Sequence, residues 1–207
     1  AIDLAASATF HGEEGFRFAS APTLRAVRSL GSNLTILVCS LALASLVFTM
    51  SRPLSRWVFR PHQALYVLAV YAAGPGIVVN GVLKEVFGRA RPRNVLEFGG
   101  SSEFTNVWVV SQQCVGNCSF TSGEAASAAA LASILMCLTR EDRSIVVPGV
   151  VTLILVLSFN RVAFGAHFLS DIVVSWLVVL IIAILLRPVF FGARGAAIDG
   201  WAERISK

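Results

Sequence analysis

The sequence predicts an all-α fold, a polytopic bundle of transmembrane helices, on three observations. Hydrophobic residues make up 56% of the 207 positions and charged ones 14%, with a mean hydropathy of +0.74, far from a soluble average. The apolar residues fall in runs near 20 long, the length a helix needs to cross a hydrocarbon core of about 30 Å. The charged residues collect in the connections between those runs. A single integral-membrane domain, 1–207, accounts for the chain, with no internal repeat and no low-complexity segment.

Each element follows from its composition. Residues 1–31 form a mixed segment on the outer side or in the interface. Asp3, His11, Glu13, Glu14 and Arg17 interrupt any apolar core there, so it is no signal peptide. Pro22 to Leu30 predicts a short interfacial helix with Arg25 and Arg28 turned outward. The first span is Asn33–Met50, followed by a basic connection in which Trp57 suits the headgroup region. The second is Gln63–Phe87, where Gly74-Pro75-Gly76 predicts a kink. A polar outer loop covers 88–119. The third span, Phe120–Leu138, is rich in Ala and Ser, as close helix packing in a membrane favours. Residues 139–144 read as a turn, Ile145–Phe159 as the fourth span and Asp171–Leu186 as the fifth. The tail, 187–207, is amphipathic, basic and cytoplasmic. Five spans are visible. The chain begins at Ala1 instead of Met, so an upstream segment with a further helix is expected before it.

Lys and Arg counts orient the bundle. Arg52, Arg56, Arg60, Arg140, Arg143, Arg187, Arg194, Arg204 and Lys207 fall on one side, and Arg17, Arg25, Arg28, Lys84, Arg89, Arg91, Arg93 and Arg161 on the other. Nine against eight decides nothing. Five of the eight belong to motifs read below as anion-binding, and setting them aside leaves nine against three, which places the first side in the cytoplasm. The net charge of +5 is spread around apolar spans without a basic tract, so an anionic ligand explains it better than nucleic acid. A channel or transporter is disfavoured, since no span shows a polar stripe or paired broken helices.

Three clusters share the outer face. In Asn160–Asp171, Arg161, His167 and Asp171 lie between two spans; a helix starting there would stack His167 and Asp171 four residues apart on one side, the carboxylate fixing the imidazole tautomer. Lys84 and Arg91 are seven apart, near two helical turns, so both could point one way, though snorkelling to headgroups explains them equally. Ser119 to Glu124 opens the third span, where Ser122 and Gly123 would offer a helix N-terminus to an oxyanion; an ordinary cap is the plainer reading. Glu124 is unusual, because a carboxylate entering a membrane helix is costly. Cations, a helix N-terminus, a His–Asp pair and a spare acid suit phosphoryl transfer. His11, His62 and His167 are scattered, His62 on the opposite side, so no metal site and no cofactor is expected.

Lys84-x6-Arg91-Pro92, Thr121-Ser122-Gly123-Glu124 and Asn160-Arg161-x5-His167-x3-Asp171 resemble the three-part signature of the type 2 phosphatidic acid phosphatase superfamily, metal-independent membrane lipid phosphatases related to vanadium haloperoxidases. The resemblance covers roughly residues 80–180. It implies a bundle usually of six spans, with the missing first helix preceding Ala1, and a site at the outer face. It implies His167 as the nucleophile forming a phosphohistidine, Asp171 orienting it, and Lys84, Arg91, Ser122, Gly123 and Arg161 holding the phosphate. Where the family has Pro and a proton-donating His in its second motif, this chain has Thr121 and Glu124, and Asn160 replaces the usual Ser. Glu124 is thus the candidate leaving-group acid. Lipid A phosphates, phosphatidylglycerol phosphate, phosphatidic acid and polyprenyl diphosphates are the implied substrates, in the outer leaflet of a bacterial inner membrane facing the periplasm. The Glu-containing motif and the cysteine pair are most similar to bacterial phosphatases of lipid A. A non-catalytic lipid-binding or assembly subunit is the second reading, supported by Glu124. Cys114 and Cys118, in an outer loop on the oxidising side, are expected to form a disulfide that braces Ser122 and Gly123, while Cys39 and Cys137 pack inside spans.

Overall fold

The structure, a computed structural model, describes residues 2–49 and 58–205. Met50, Arg52, Arg56, Trp57 and Lys207, which entered the span and charge readings above, lie outside the described residues. In chain order the elements are α1 (Ile2–Ala8), an antiparallel hairpin of β1 (His11–Gly12) and β2 (Gly15–Phe16), α2 (Pro22–Thr49), α3 (Pro61–Tyr71), a π-helical segment (Ala72–Leu83) and α4 (Lys84–Phe87). Two short 3-10 turns (Pro92–Asn94 and Leu96–Phe98) lead to α5 (Gly123–Ala130), α6 (Ala132–Leu135), α7 (Arg140–Ala163), α8 (Leu169–Phe190) and α9 (Ala193–Ile205). The hairpin pairs His11 with Phe16 and Gly12 with Gly15.

The predicted all-α polytopic bundle is observed. Among the described residues four helices are long and apolar enough to cross a membrane: Pro22–Thr49, Pro61–Asn94, Arg140–Ala163 and Leu169–Phe190. The third expected span is shorter than its sequence read. Its helical part is Gly123–Leu135, about 20 Å at 1.5 Å per residue, less than a bilayer core. Composition explains why it survives at that length. Ala125, Ala126, Ala128, Ala129 and Ala130 are all buried, and the small side chains let α5 pack among α2, α3, the π-helical segment, α7 and α8. A helix enclosed by its neighbours need not match the thickness of the lipid.

Three other boundaries moved. Residues 22–30, expected as a separate interfacial helix, open α2. Gly31 does not interrupt it, because it gives α7 a close approach: a Cβ there would lie 3.1 Å from Leu157 Cδ2. Residues 140–144, expected as a turn, begin α7, with Thr139 Oγ1 accepting from Asp142 N at 3.2 Å as the N-cap. The Gly74-Pro75-Gly76 interruption is absorbed by π-helical winding over Ala72–Leu83, in which Asn80 Nδ2 donates to the Pro75 carbonyl at 2.7 Å.

The core runs through the middle of the bundle, where Ala64, Val67, Val70, Val79 and Val179 are fully buried and the Tyr66 hydroxyl donates to Ala183 O at 3.0 Å. At one end α9 packs on α3 and α8, and His62 Nδ1 meets Asp199 Oδ2 at 2.9 Å. The opposite end gathers the start of α2, the end of α4, the start of α5, the end of α7 and the start of α8. The hairpin closes onto it. Gly165, in the turn between α7 and α8, has φ +62°, and a Cβ there would sit 2.4 Å from the Phe16 ring.

Gly165→Ala is therefore expected to cost about 2 kcal/mol from the left-handed backbone alone, and more from the collision with Phe16. In detergent this should lower Tm by roughly 5 °C or more, which a thermal-unfolding scan reads directly.

Candidate active site

The end that collects these helix termini contains a cleft of about 620 Å³. Its basic lining residues are Arg25 and Arg28 from α2, Lys84 from α4, Arg91 and Arg93 from the segment after α4, and Arg161 from the end of α7. Glu124 is its one acidic lining residue among the described residues, joined by Asn80, Asn117, Gly123 and His167. Such a surplus of cations in a concave site focuses potential on an anion.

The structure brings together most of the residues singled out from sequence, by routes different from those expected. Lys84 and Arg91 do reach one site, but not as two turns of one helix. The helix ends at Phe87, Gly88 turns left-handed at φ 50°, and Arg91 continues in an extended conformation. Lys84 Nζ donates to Asn80 Oδ1 at 3.1 Å. Arg91 is held through Asn117, Nη2 donating to the Asn117 carbonyl at 2.7 Å and to its Oδ1 at 2.8 Å. Asn117 is the residue before Cys118, whose disulfide with Cys114 is present with Cα atoms 5.6 Å apart. The predicted pairing therefore braces the grip on Arg91 as well as the approach to α5.

Ser122 caps α5, its Oγ accepting from Ala125 N at 3.3 Å, and it is fully buried outside the cleft lining. Gly123 does line the cleft, and a Cβ there would strike Asn80 Oδ1 at 2.5 Å. Glu124 bridges two arginines. Arg28 Nε donates to its Oε1 at 3.0 Å, and Arg161 Nε lies 3.0 Å from its Oε2, close enough for an ion pair but without hydrogen-bond alignment.

His167 and Asp171 are not stacked along one helix. His167 precedes α8, while Asp171 sits in its first turn, accepting from Phe168 N at 2.9 Å. The Asp171 carboxylate is 4.0 Å from His167 Nδ1, whereas the Ser119 carbonyl is 2.7 Å away. A carbonyl only accepts, so Nδ1 carries the proton and Nε2 carries the lone pair. Asp171 acts one step back: its Oδ2 accepts from Ser119 Oγ at 2.6 Å and its Oδ1 from Arg89 Nη1 at 2.6 Å. Burial, then the charges of Arg161, Arg91 and Lys84, hold the His167 imidazolium pKa well below its ordinary 6.5, against the opposing pull of the Ser119 carbonyl.

Several residues here were not selected from sequence. Arg25 and Arg28 carry only an interfacial and topological reading in the sequence, and Asn80 and Asn117 carry no signal. Arg89 and Arg93 fall among the five cations set aside with the anion-binding motifs, but neither is given a role of its own there. Asp3, whose carboxylate meets Arg89 Nη2 at 2.8 Å, has no local pattern that would reveal it.

Fold and site together define a class: a membrane-embedded helical bundle with a cationic, histidine-bearing anion cleft at one end. The chain belongs to the PAP2 superfamily, whose family model matches residues 63–194. It is 40% identical over 115 residues to a lipid A 4'-phosphatase of Rhizobium etli (strain ATCC 51251 / DSM 11541 / JCM 21823 / NBRC 15573 / CFN 42), covering 56% of this chain and 45% of that protein. It is 38% identical over 123 residues to a lipid A 4'-phosphatase of Rhizobium leguminosarum, covering 59% and 53%. A lipid A 4'-phosphatase of Francisella tularensis subsp. novicida (strain U112) is 34% identical over 122 residues, covering 58% and 55%. The chain spans about half the length of these curated relatives. No solved structure matches it.

The neutral imidazole is the form with a free lone pair, so a lowered His167 pKa moves the acid limb of any His167-dependent reaction downward. The pH profile of kcat/KM should hold its plateau to below pH 6.5 before falling. An acid limb centred above 6.5 would contradict the electrostatics of the cleft.

Proposed function

We propose that the chain is a membrane lipid phosphatase that removes a phosphate monoester from a lipid A-type lipid in the outer leaflet, through a phosphohistidine and without a metal ion. The observation that carries this reading is the Ser119 carbonyl on His167 Nδ1, which leaves an unprotonated Nε2 in a cleft lined by six cations. The names of the relatives favour lipid A phosphate over phosphatidic acid, phosphatidylglycerol phosphate or a polyprenyl diphosphate. A second cleft, of about 270 Å³, supports a lipid as the phosphate carrier. Gly31, Ile36, Ala128, Leu131 and Leu157 form its apolar walls, and it shares Arg28, Glu124 and Ser127 with the cationic cleft. Headgroup space and chain space thus meet at the Arg28–Glu124 pair. The positive-inside balance supports an outward, periplasmic site in an inner membrane, because Arg25 and Arg28 also line the cleft and can be set aside with the other anion-facing cations.

In the proposed reaction Lys84, Arg91 and Arg161, with the N-terminus of α5 at Gly123, hold the phosphate oxygens. The Nε2 lone pair forms the P–N bond as the P–O bond to the lipid breaks. Asp171 and the Ser119 carbonyl stabilise the positive charge that the ring acquires. Both Glu124 oxygens accept from or face guanidinium groups, so its service as an acid requires the phosphate to take Arg161 away first. Glu124 passes the proton carried in by the phosphate monoanion to the departing lipid oxygen. Water attacks the phosphohistidine, its proton returns to Glu124, the P–N bond breaks and the electron pair goes back to Nε2.

Purified protein is expected to release phosphate from lipid A phosphate in EDTA, and His167→Ala should reduce the rate about 10³-fold or more. Turnover that EDTA abolishes, or that survives His167→Ala, overturns the reading. Absence of turnover across the four lipid classes returns the chain to the lipid-binding or assembly reading.

Glu124→Gln should lower kcat about 10²- to 10⁴-fold, the range of a lost general acid, while Glu124→His should keep measurable turnover. Equal activity in wild type and Glu124→Gln would make Glu124 a partner of Arg28 and Arg161 and nothing more.

A further inference from the structure

Behind His167 lies a buried ionic cluster that the proposed chemistry touches only at its edge. Arg89, whose side chain is 1% exposed, stands between two carboxylates. Nη1 donates to Asp171 Oδ1 at 2.6 Å and to Ser170 Oγ at 2.9 Å, Nη2 to Asp3 Oδ2 at 2.8 Å, and Nε to the Thr105 carbonyl at 2.9 Å. The guanidinium also lies over the Phe168 ring, 4.3 Å from its centroid. Asp3 comes from α1, sixty residues before the segment that the family model matches. It accepts from Ser170 N at 2.8 Å through Oδ1 and from Ser170 Oγ through Oδ2. Burial pushes its carboxyl pKa up, but the bonds from Ser170 and Arg89 outweigh this and hold it below the usual carboxylate range.

We propose that Asp3 is a positioning residue for the reaction: it fixes Arg89 and Ser170, which fix Asp171, which through Ser119 holds the His167 ring in its Nδ1–H tautomer. Every link is a direct contact, and the last of them, the Ser119 carbonyl on Nδ1, is also supported by the Arg89 carbonyl, which accepts from Ser119 N at 2.8 Å. Asp171 has two oxygens. One is taken by Arg89, which leaves the other for Ser119 Oγ and Phe168 N. Ser119 then presents its carbonyl to Nδ1. Without Asp3, Arg89 loses the partner on Nη2 and Ser170 loses the acceptor of its backbone N–H at the start of α8. The Asp171 carboxylate is then free to follow Arg89 away from Ser119. Asp3 reaches none of the groups lining the cationic cleft, so it acts on the geometry of attack and not on phosphate capture.

The kinetic arm of this inference rests on the phosphatase reading, and the spectroscopic arm does not. Asp3→Asn should lower kcat about 10- to 100-fold, the scale of a slightly misplaced reacting group, with KM within about threefold of wild type. Asp3→Glu, which keeps the charge, should recover most of the loss. In the ¹⁵N spectrum of histidine-labelled protein, the His167 signals, identified by their disappearance in His167→Gln, should show the Nδ1–H tautomer in wild type and a tautomer mixture in Asp3→Asn. If Asp3→Asn does not fold, Ser170→Ala, which keeps the backbone N–H bond, should show the same changes at smaller size. Wild-type kcat in the folded variant, or an unchanged His167 tautomer, overturns the inference. A wild-type protein that turns over no phosphate ester instead overturns the phosphatase reading, and the tautomer still decides the role of Asp3.

Discussion

The contact on which this structure turns is the ion pair between Arg89 and Asp171. Both side chains are removed from water, and such a pair is stabilising only when its remaining donors and acceptors are also met. Here they are met by Asp3, Thr105, Ser119 and, at the start of α8, Ser170 and the Phe168 amide. One guanidinium thereby joins the N-terminal helix, the exit from α4, the approach to α5 and the start of α8. The fold at this end is assembled around a charge, where the rest of the bundle is assembled around small and branched apolar residues.

Cations that must cooperate on one anion repel one another until it arrives. The cleft answers this in two ways. Asn80, Asn117 and the carbonyl of Asn117 hold Lys84 and Arg91 by hydrogen bonds that leave their charge intact. Glu124 stands between Arg28 and Arg161 and offsets part of their charge. A histidine at the same position could not make that second contribution while neutral. The departure of this chain from the family pattern at Glu124 thus comes with a partner, Arg28, contributed by a helix outside the three motifs. This pairing is as much part of the cleft as the hydrogen bonds that hold Lys84 and Arg91.

Much of this was legible in the sequence, and what was not has a physical reason. The long apolar runs announced the helices, and the motif spacing brought Lys84, Arg91, Gly123, Glu124, Arg161 and His167 to one cleft. Local geometry was less legible. A separation of seven between Lys84 and Arg91 fits two helical turns, yet Gly88 ends the helix between them and the extended backbone makes the reach instead. A separation of four between His167 and Asp171 fits one turn, yet α8 starts after the histidine, and a backbone carbonyl from 48 positions away takes the place expected of the carboxylate. Backbone acceptors have no sequence signature, which hides Ser119 and Asn117. Asp3 and Arg28 were hidden for another reason, since their partners are fixed by tertiary packing and not by any periodicity. The third span misled in length because an alanine-rich helix at the centre of a bundle is bounded by its neighbours and not by lipid.

The bond between Cys114 and Cys118 closes the turn that ends in Asn117, and Asn117 is what grips Arg91. One arm of the cationic cleft is thus tied to a covalent bond between two cysteines that do not line the cleft themselves. Opening that bond would loosen the hold on Arg91 while leaving Lys84 on Asn80 and Arg161 beside Glu124.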